Sequence, residues 1–514
     1  MLTSPAPTGA TVETARPHAW RGNDRLLRAP LFHAAVISAI AFVVLVATAP
    51  HGLWLDEAIS VRLSALPFGT LARFIVGGEP NMALFHLLLW PVAQLHPSDG
   101  VLRLLPSLAA ALALGGTYVL GSRIFDRPTA AVGVALLVSH GLSSRYANEV
   151  RGYSLLVLLT VVCALALVKA VASDSRWAWR VFTVCAVLAL ATHFVAMLTI
   201  GAQLIALLVV RDRVHRARVV RVLLVLAAAV TVFGVMWIAS NQDGRVAWIP
   251  ALSRQQIIDV GTAIGGGSLW AMVAVGGLAA FASVRAVMSI RQSPSEAFPE
   301  TLLVSMAWVP LAAGLVVSAF QPLFLPRYFL AVLPPLALLA ARGLFALPRR
   351  PVLGVAVGVM VIALLVVGHP ELDRNAREGT DGAVGYVLPR LRDGDAVFLP
   401  YNEELPALQW YGRGLPANVA DARPDTPSDA LTTDWWWEDS DRFGADLAAR
   451  ARLSEDEWRT ALTGRDRIWV MSGFLAQNPR FFDTGTNVVP EGRVECDRQY
   501  FDGIDVVLWA RDCP

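Results

Sequence analysis

Apolar stretches about twenty residues long, broken by short polar links, dominate the first 370 or so positions of the chain. A helix rising about 1.5 Å per residue needs roughly 20 residues to cross a hydrocarbon core of about 30 Å. By that ruler, spans are expected near 31–50, 101–122, 128–144, 152–172, 177–192, 194–210, 220–240, 268–290, 301–320, 328–346 and 351–368. The further apolar stretch 82–96 is shorter and carries His86, Pro91 and Gln94, so it reads as a helix lying at the interface. From about 369 the pattern changes to short apolar runs at 395–401, 467–473 and 504–511, separated by Pro, Gly and Asp, which predict strands. The expected fold class is an α-helical polytopic membrane protein of about 11 transmembrane helices, with interfacial helices in the first outer loop and a small C-terminal extracytoplasmic α/β domain. The expected divisions are a disordered cytoplasmic tail at 1–30, a transmembrane domain at 31–368 containing the outer loop 51–100, and the outer domain at 369–514.

Composition agrees with that pattern. Of 514 residues, 55% are hydrophobic and 16% charged, with mean hydropathy +0.52, so lipid must be the solvent for much of the surface. The net charge of +2 gives no reason to expect a nucleic-acid partner. Residues 1–30 are polar and hold no apolar core followed by a small-residue cleavage site, so a cleaved signal peptide is not expected. If 82–96 stays on one side, every basic cluster between spans lands together: Arg123 and Arg127, Arg176 and Arg180, Arg211 to Arg221, Arg285 and Arg291, and Arg342 to Arg350. The positive-inside rule then puts the N-terminus in the cytoplasm and the C-terminal domain outside. There Cys496 and Cys513 could pair, while Cys163 and Cys185 fall within spans.

Ionisable residues near the outer ends of spans are the candidates for chemistry, because burying them in a membrane is costly. The first loop opens with Asp56 and Glu57, placed where partial desolvation makes a carboxylate a better base; Asp56 could equally cap a helix. Glu79 and Asn81 follow a Gly pair. Arg145, Tyr146, Glu149 and Arg151 sit between long apolar runs, where outward-facing arginines need a partner, either a phosphate or Glu149. Arg327 and Tyr328 repeat the anomaly at the start of a later span, and His193 lies between two span ends, as a packing residue or a site residue. The acid-flanked Trp cluster at Asp434–Glu438 could pack, anchor at the interface or bind sugar. The sequence has no P-loop, no zinc spacing and no nucleophile elbow. A donor reaching the outer side without a nucleotide would be carried by lipid.

The segments LWLDEAIS, EPNMALFHLLLW, RLLPSLAAALALGGTYVLGSRIF, SSRYANEVRGYSLLVLL, ATHFVAML and LPRYFLAVLPPLALLAARGL, in that order over roughly 31–346, resemble the C-fold superfamily of integral-membrane glycosyltransferases. The similarity is to glycosyltransferase family 39 and its bacterial relatives, among them protein O-mannosyltransferases and lipid A aminoarabinose transferases. The resemblance implies Asp56 as general base on an acceptor hydroxyl, with Glu57 a weaker candidate beside it. It implies Glu79 as a second acid that positions the acceptor or a divalent cation. Arg145, Tyr146, Glu149 and Arg151 match the polar end of the third span, and Arg327 the basic residue near the donor phosphate. Many relatives carry two prolines where this chain has Met82-Ala83, so its acceptor side is expected to differ. The implied activity is an inverting transfer of a sugar from a polyprenyl-monophosphate carrier to a cell-envelope glycan, lipid or protein acceptor. No cofactor is required, although the loop acids permit a divalent cation. The competing expectations are a lipid-diphosphate-dependent polymerase or ligase, and a non-enzymatic lipid or sugar transporter, which would place its charges at the midplane of broken, symmetric helices.

Overall fold

The computed structural model describes residues 24–77, 80–212, 214–239, 249–347, 355, 358–363, 366, 379–392, 395–398, 407, 410–411, 463, 465–472, 492–501 and 503–513. Glu79 and the Trp cluster at Asp434–Glu438 lie outside the described residues. In chain order the helices are α1 (Asp24–Ala47), α2 (Leu55–Ser64), α3 (Phe68–Gly77), α4 (Ala83–Ala93), α5 (Asp99–Leu102), α6 (Leu104–Ile124), α7 (Arg127–Val138), α8 (Gly141–Ala147), α9 (Tyr153–Ser173), α10 (Arg176–Thr192), α11 (Ala196–Ala206), α12 (Arg216–Ala239), α13 (Arg254–Gly265), α14 (Leu269–Ile290), α15 (Pro294–Ser318), α16 (Leu333–Phe345) and α17 (Thr380–Val387). Several begin on an oxygen-bearing cap that satisfies an orphan amide. Asp126 accepts the Thr129 N–H at the head of α7, Ser175 the Ala178 N–H of α10, and Ser268 the Ala271 N–H of α14.

Among the described residues, seven helical stretches are long and apolar enough to cross a membrane unaided: Ala29–Ala47, Asp99–Ile124, Tyr153–Ser173, Arg216–Ile238, Leu269–Ile290, Glu296–Ser318 and Pro326–Phe345. The chain is thus a multi-pass membrane protein. The expected spans at 128–144, 177–192 and 194–210 are realised as shorter helices: α7 breaks before α8, α10 has 17 residues, and α11 runs on into a 3-10 turn at Leu207–Val210. The stretch 351–368 is described only in part. Helix α4 has 11 residues, about 16 Å, and is too short to cross alone. Helix α13 was not expected, because Gln255, Gln256 and Asp259 interrupt its apolar pattern.

The stretch Pro326–Phe345 runs through the middle of the bundle, whereas α1 and α12 lie at its edge with most of their apolar side chains facing outward. Ile40, Val43, Leu224 and Ile238 are all exposed there, as lipid-facing residues are. Close packing at the centre needs a glycine. A Cβ on Gly121 of α6 would lie 2.5 Å from Leu338 Cδ2 of α16. Followed along the chain, the helices alternate in direction. The ends near residues 54, 99, 148, 193 and 326 fall on one side, and the arginine-rich ends near 124, 176, 211 and 291 on the other.

The C-terminal sheet has the order β1 (Ala396–Phe398), β2 (Arg467–Ser472), β4 (Ile504–Ala510) and β3 (Val494–Phe501), with β1 parallel to β2 and the other pairs antiparallel. Helix α17 packs Ala383, Val384 and Val387 against Trp469, Met471, Ile504, Val506 and Leu508. Strand β4 is buried on both faces and was legible as an apolar run; β3, with the sequence VECDRQYF, is an exposed edge strand without such a run and was not expected. Cys496 of β3 and Cys513 beyond β4 form a disulfide with Cα atoms 5.3 Å apart.

Candidate active site

Helix α2 begins just beyond α1, with Trp54 as its N-cap, so Asp56 and Glu57 lie in the first turn. Asp56 does not cap the helix. That work falls to Glu57, whose Oε2 accepts the Trp54 N–H at 3.3 Å. The two neighbouring carboxylates point into different environments.

Glu57 is completely buried. It receives a two-pronged ion pair from Arg103, at the junction of α5 and α6, with Nη2 to Oε2 at 2.7 Å and a second contact from Nη1 to Oε1. Its Oε1 also accepts the Val150 N–H at 2.8 Å. Arg103 also donates to the Asn148 carbonyl at 3.0 Å and the Gly52 carbonyl at 2.5 Å. One buried pair thereby ties together the first loop, the head of α6 and the segment after α8. A bidentate guanidinium fork suits such a site, since an unpaired buried charge would cost several kcal/mol. Arg103 was not among the expected site residues, although it too is an arginine at the outer end of a span, the same anomaly that marked Arg151 and Arg327.

Asp56 stays partly open, with 17% of its side chain exposed. Its Oδ2 accepts from Arg327 Nη1 at 2.9 Å, and Arg151 Nη1 lies 3.8 Å from Oδ1 and donates to the Asp56 carbonyl at 3.2 Å. The three residues come from the first loop, the head of α9 and the 3-10 turn Pro326–Val332. Around them stands a wall of rings. Tyr153 meets Tyr146 at 5.2 Å and His193 at 5.5 Å, and His193 meets Tyr328 at 5.3 Å. Arg151 lies over the Tyr153 ring, and Arg145 over that of Tyr146. Glu149 is buried within electrostatic reach of Arg151 and Tyr146.

Among the described residues, two ring donors of this wall are buried without a hydrogen-bond partner. His193 Nδ1 accepts the Val195 N–H at 3.3 Å, so the neutral ring carries its proton on Nε2, which meets no acceptor. The Tyr153 hydroxyl likewise has none. Both groups are donors beside two guanidiniums, and buried donors of this kind call for an acceptor. Tyr153 was quoted in the sequence pattern but not singled out.

Asn81 Oδ1 accepts the Phe194 N–H at 3.2 Å, joining the first loop to the turn that carries His193. Next to it Met82 is buried with φ +64°, a conformation closed to proline, whose ring fixes φ near −65°. Proline is therefore closed out of position 82 by the backbone. Of the residues expected at the site, Asp56, Arg151, Arg327, Tyr146, Tyr328, Glu149, His193 and Arg145 gather at one end of the bundle. Asn81 supports it from outside, and Glu57 lies behind it. Among the described residues, no group of three His, Cys, Asp or Glu side chains is placed to hold a metal ion.

The C-terminal region reaches the same loop. Tyr411 accepts the Leu53 N–H and donates to Asp99 Oδ2, both at 2.8 Å, while the Thr380 hydroxyl donates to the Leu53 carbonyl. Burial, with Asp99 adding to it, pushes the Tyr411 phenol far above its ordinary range, so it remains a donor.

No family model matches the chain, and no curated protein matches it in sequence. In structure it is similar to ArnT from Cupriavidus metallidurans bound to undecaprenyl phosphate, at 14% identity and a TM-score of 0.57 over 95% of this chain and 98% of that one. It is equally similar to the apo state of that protein, at 13% identity and a TM-score of 0.57 over 94% and 98%. The fold is that of these two structures.

Proposed function

We propose that this chain, which has the fold of the C-fold membrane glycosyltransferases, transfers a sugar from a polyprenyl-monophosphate carrier to an acceptor hydroxyl on the extracytoplasmic side of the membrane. The observation that carries this reading is Asp56 held between Arg151 and Arg327 at one end of the bundle, beside two unanswered donors, Tyr153 Oη and His193 Nε2. The solved structure of ArnT with undecaprenyl phosphate supports the choice of carrier. The disulfide in the C-terminal sheet and the basic clusters at the opposite helix ends support the orientation, with the N-terminus in the cytoplasm.

Charge arithmetic favours a monophosphate. Three guanidiniums, Arg145, Arg151 and Arg327, against the two carboxylates Asp56 and Glu149 leave one positive charge over, which matches a sugar phosphodiester rather than a diphosphate. As the donor enters, its phosphate competes with Asp56 for Arg151 and Arg327 and accepts from Tyr153 and His193. Asp56 is released as a free carboxylate. It then takes the proton from the acceptor hydroxyl as that oxygen attacks the anomeric carbon from the face opposite the phosphate. The bond from anomeric carbon to phosphate oxygen breaks, the configuration inverts, and the negative charge left on the polyprenyl phosphate is stabilised by the arginines. Glu57 is a positioning residue in this scheme: its charge is spent on Arg103. Glu79, outside the described residues, is retained as a candidate for holding the acceptor or a divalent cation.

The test uses the full chain in liposomes with a cell-envelope extract as acceptor. Polyprenyl-phosphate mannose, arabinose, galactose and glucose are supplied in turn, alongside their diphosphate counterparts. The expected result is transfer from one monophosphate donor, lost by about 10³-fold or more in Asp56→Asn, which keeps the shape and removes the base. Transfer from diphosphates alone, lipid movement without transfer, or an active Asp56→Asn would end the proposal.

A further inference from the structure

We infer that the C-terminal domain is part of the catalytic apparatus: Tyr411 and Thr380 are positioning residues that clamp the backbone leading into Asp56. This rests on the assignment of Asp56 as the base.

Leu53 lies three residues before Asp56 and is fully buried. Buried backbone groups need partners, and no helix or strand provides them here, because α2 starts only at Leu55. Both partners come from the far end of the chain. The Leu53 N–H is taken by the Tyr411 hydroxyl, 358 residues away, and the Leu53 carbonyl by the Thr380 hydroxyl, 327 residues away. Tyr411 is anchored in turn by Asp99, the first residue of α5, whose far end carries Arg103. Gly52 is gripped from two sides. Its carbonyl accepts from Arg103, and a Cβ on it would lie 2.6 Å from Asp381 Oδ1 of α17. Its φ of +77° adds a second reason for glycine at this position. Trp410 extends the contact by meeting the His96 ring at 5.8 Å and, with Ala407, packing into the core of the membrane body.

The entry to α2 is therefore fixed by Arg103 from the membrane body and by Tyr411, Thr380 and Asp381 from the outer domain. Arg151 and Arg327 set the Asp56 side chain, but the clamp sets where its Cα stands. The bonds of Tyr411 and Thr380 run to Leu53 and Asp99 rather than to Tyr153, His193 or Arg327, so clamp and phosphate site separate experimentally.

The experiment compares the full-length wild type with Tyr411→Phe, Gly52→Ala and the control Gly69→Ala, whose added methyl meets open space. Three quantities are read in lipid nanodiscs: backbone hydrogen exchange by peptide, affinity for undecaprenyl phosphate, and kcat against donor KM with the active sugar donor. In Tyr411→Phe, exchange across 52–57 should rise about tenfold or more while 149–155 stays protected. Affinity for undecaprenyl phosphate and donor KM should hold, and kcat should fall about tenfold as the base drifts. Gly52→Ala should show the same pattern more strongly, and Gly69→Ala should match wild type. Unchanged exchange at 52–57 in both variants overturns the clamp. So does acceleration that spreads to 149–155 with loss of phosphate affinity, since that marks a general structural contact. A wild type that binds no undecaprenyl phosphate would instead sink the proposed donor, and the exchange data would still decide the clamp.

Discussion

On one side of α2, Glu57 faces Arg103 in a sealed compartment where each carboxylate oxygen is met by a guanidinium nitrogen and a backbone amide. On the other side, one residue earlier, Asp56 faces Arg151 and Arg327 in a compartment with partial access and unanswered donors in its wall. Composition is the same on both sides: acid against arginine. What differs is saturation. A sealed carboxylate with both oxygens doubly met can only hold structure, and altering one member of the pair leaves an uncompensated buried charge. A part-exposed carboxylate flanked by unanswered donors can give up its place to another anion, which is what a phosphate-binding site must allow.

The comparison is broken most forcefully at Arg103. Arg103→Met should cost about 3–5 kcal/mol by stranding Glu57, seen as a lowered melting midpoint and poor recovery from membranes. The protein that does fold should bind undecaprenyl phosphate as wild type does. Normal stability in this variant would show that Glu57 is not structurally spent.

Arg327→Gln should do the reverse. Affinity for undecaprenyl phosphate is expected to fall by about 1.5–3 kcal/mol, roughly 10- to 100-fold, as one charged hydrogen bond is lost. The melting midpoint should move little, because Asp56 is part-exposed and keeps Arg151. Equal loss of stability from Arg103→Met and Arg327→Gln would erase the distinction between the compartments.

The sequence made the open compartment legible and the sealed one not. Asp56, Arg151 and Arg327 stood out because each breaks a local rule: charge beside an apolar span, or arginine on the outer side. Arg103 breaks the same rule, but nothing local says that it pairs with Glu57, 46 positions earlier. Tyr411 and Thr380 break no rule at all. Their contacts to Leu53 depend on docking of the outer domain, and a tyrosine in a polar stretch carries no mark of it. The apolar rulers found the long helices and β1, β2 and β4. They passed over α13 and β3, whose polar residues hide them from hydropathy, and they merged α7 with α8, where a break before Gly141 leaves the apolar run uninterrupted.

The smallest effect probes the wall itself. His193 and Tyr153 are packed as aromatic neighbours, and most buried rings of this kind do nothing else. Packing and phosphate recognition part company when the ring is kept and the donor removed. Tyr153→Phe preserves the contacts with Tyr146 and His193 and deletes a hydroxyl that meets no acceptor among the described residues. If that hydroxyl serves only packing, its removal relieves an unanswered buried polar group, so the protein should be slightly more stable and bind undecaprenyl phosphate unchanged. If it awaits the phosphate, the same variant should still gain stability when empty but lose roughly tenfold in affinity, about 1.4 kcal/mol. His193→Phe should lose affinity alike through Nε2 but without the gain in stability, because it also takes the Nδ1 acceptor from the Val195 N–H. The double variant should lose about the product of the two affinity losses, provided the donors reach different phosphate oxygens. Thermal melts with and without undecaprenyl phosphate read both quantities from one preparation. Opposite signs, a gain when empty and a deficit when loaded, are the outcome that packing alone cannot produce.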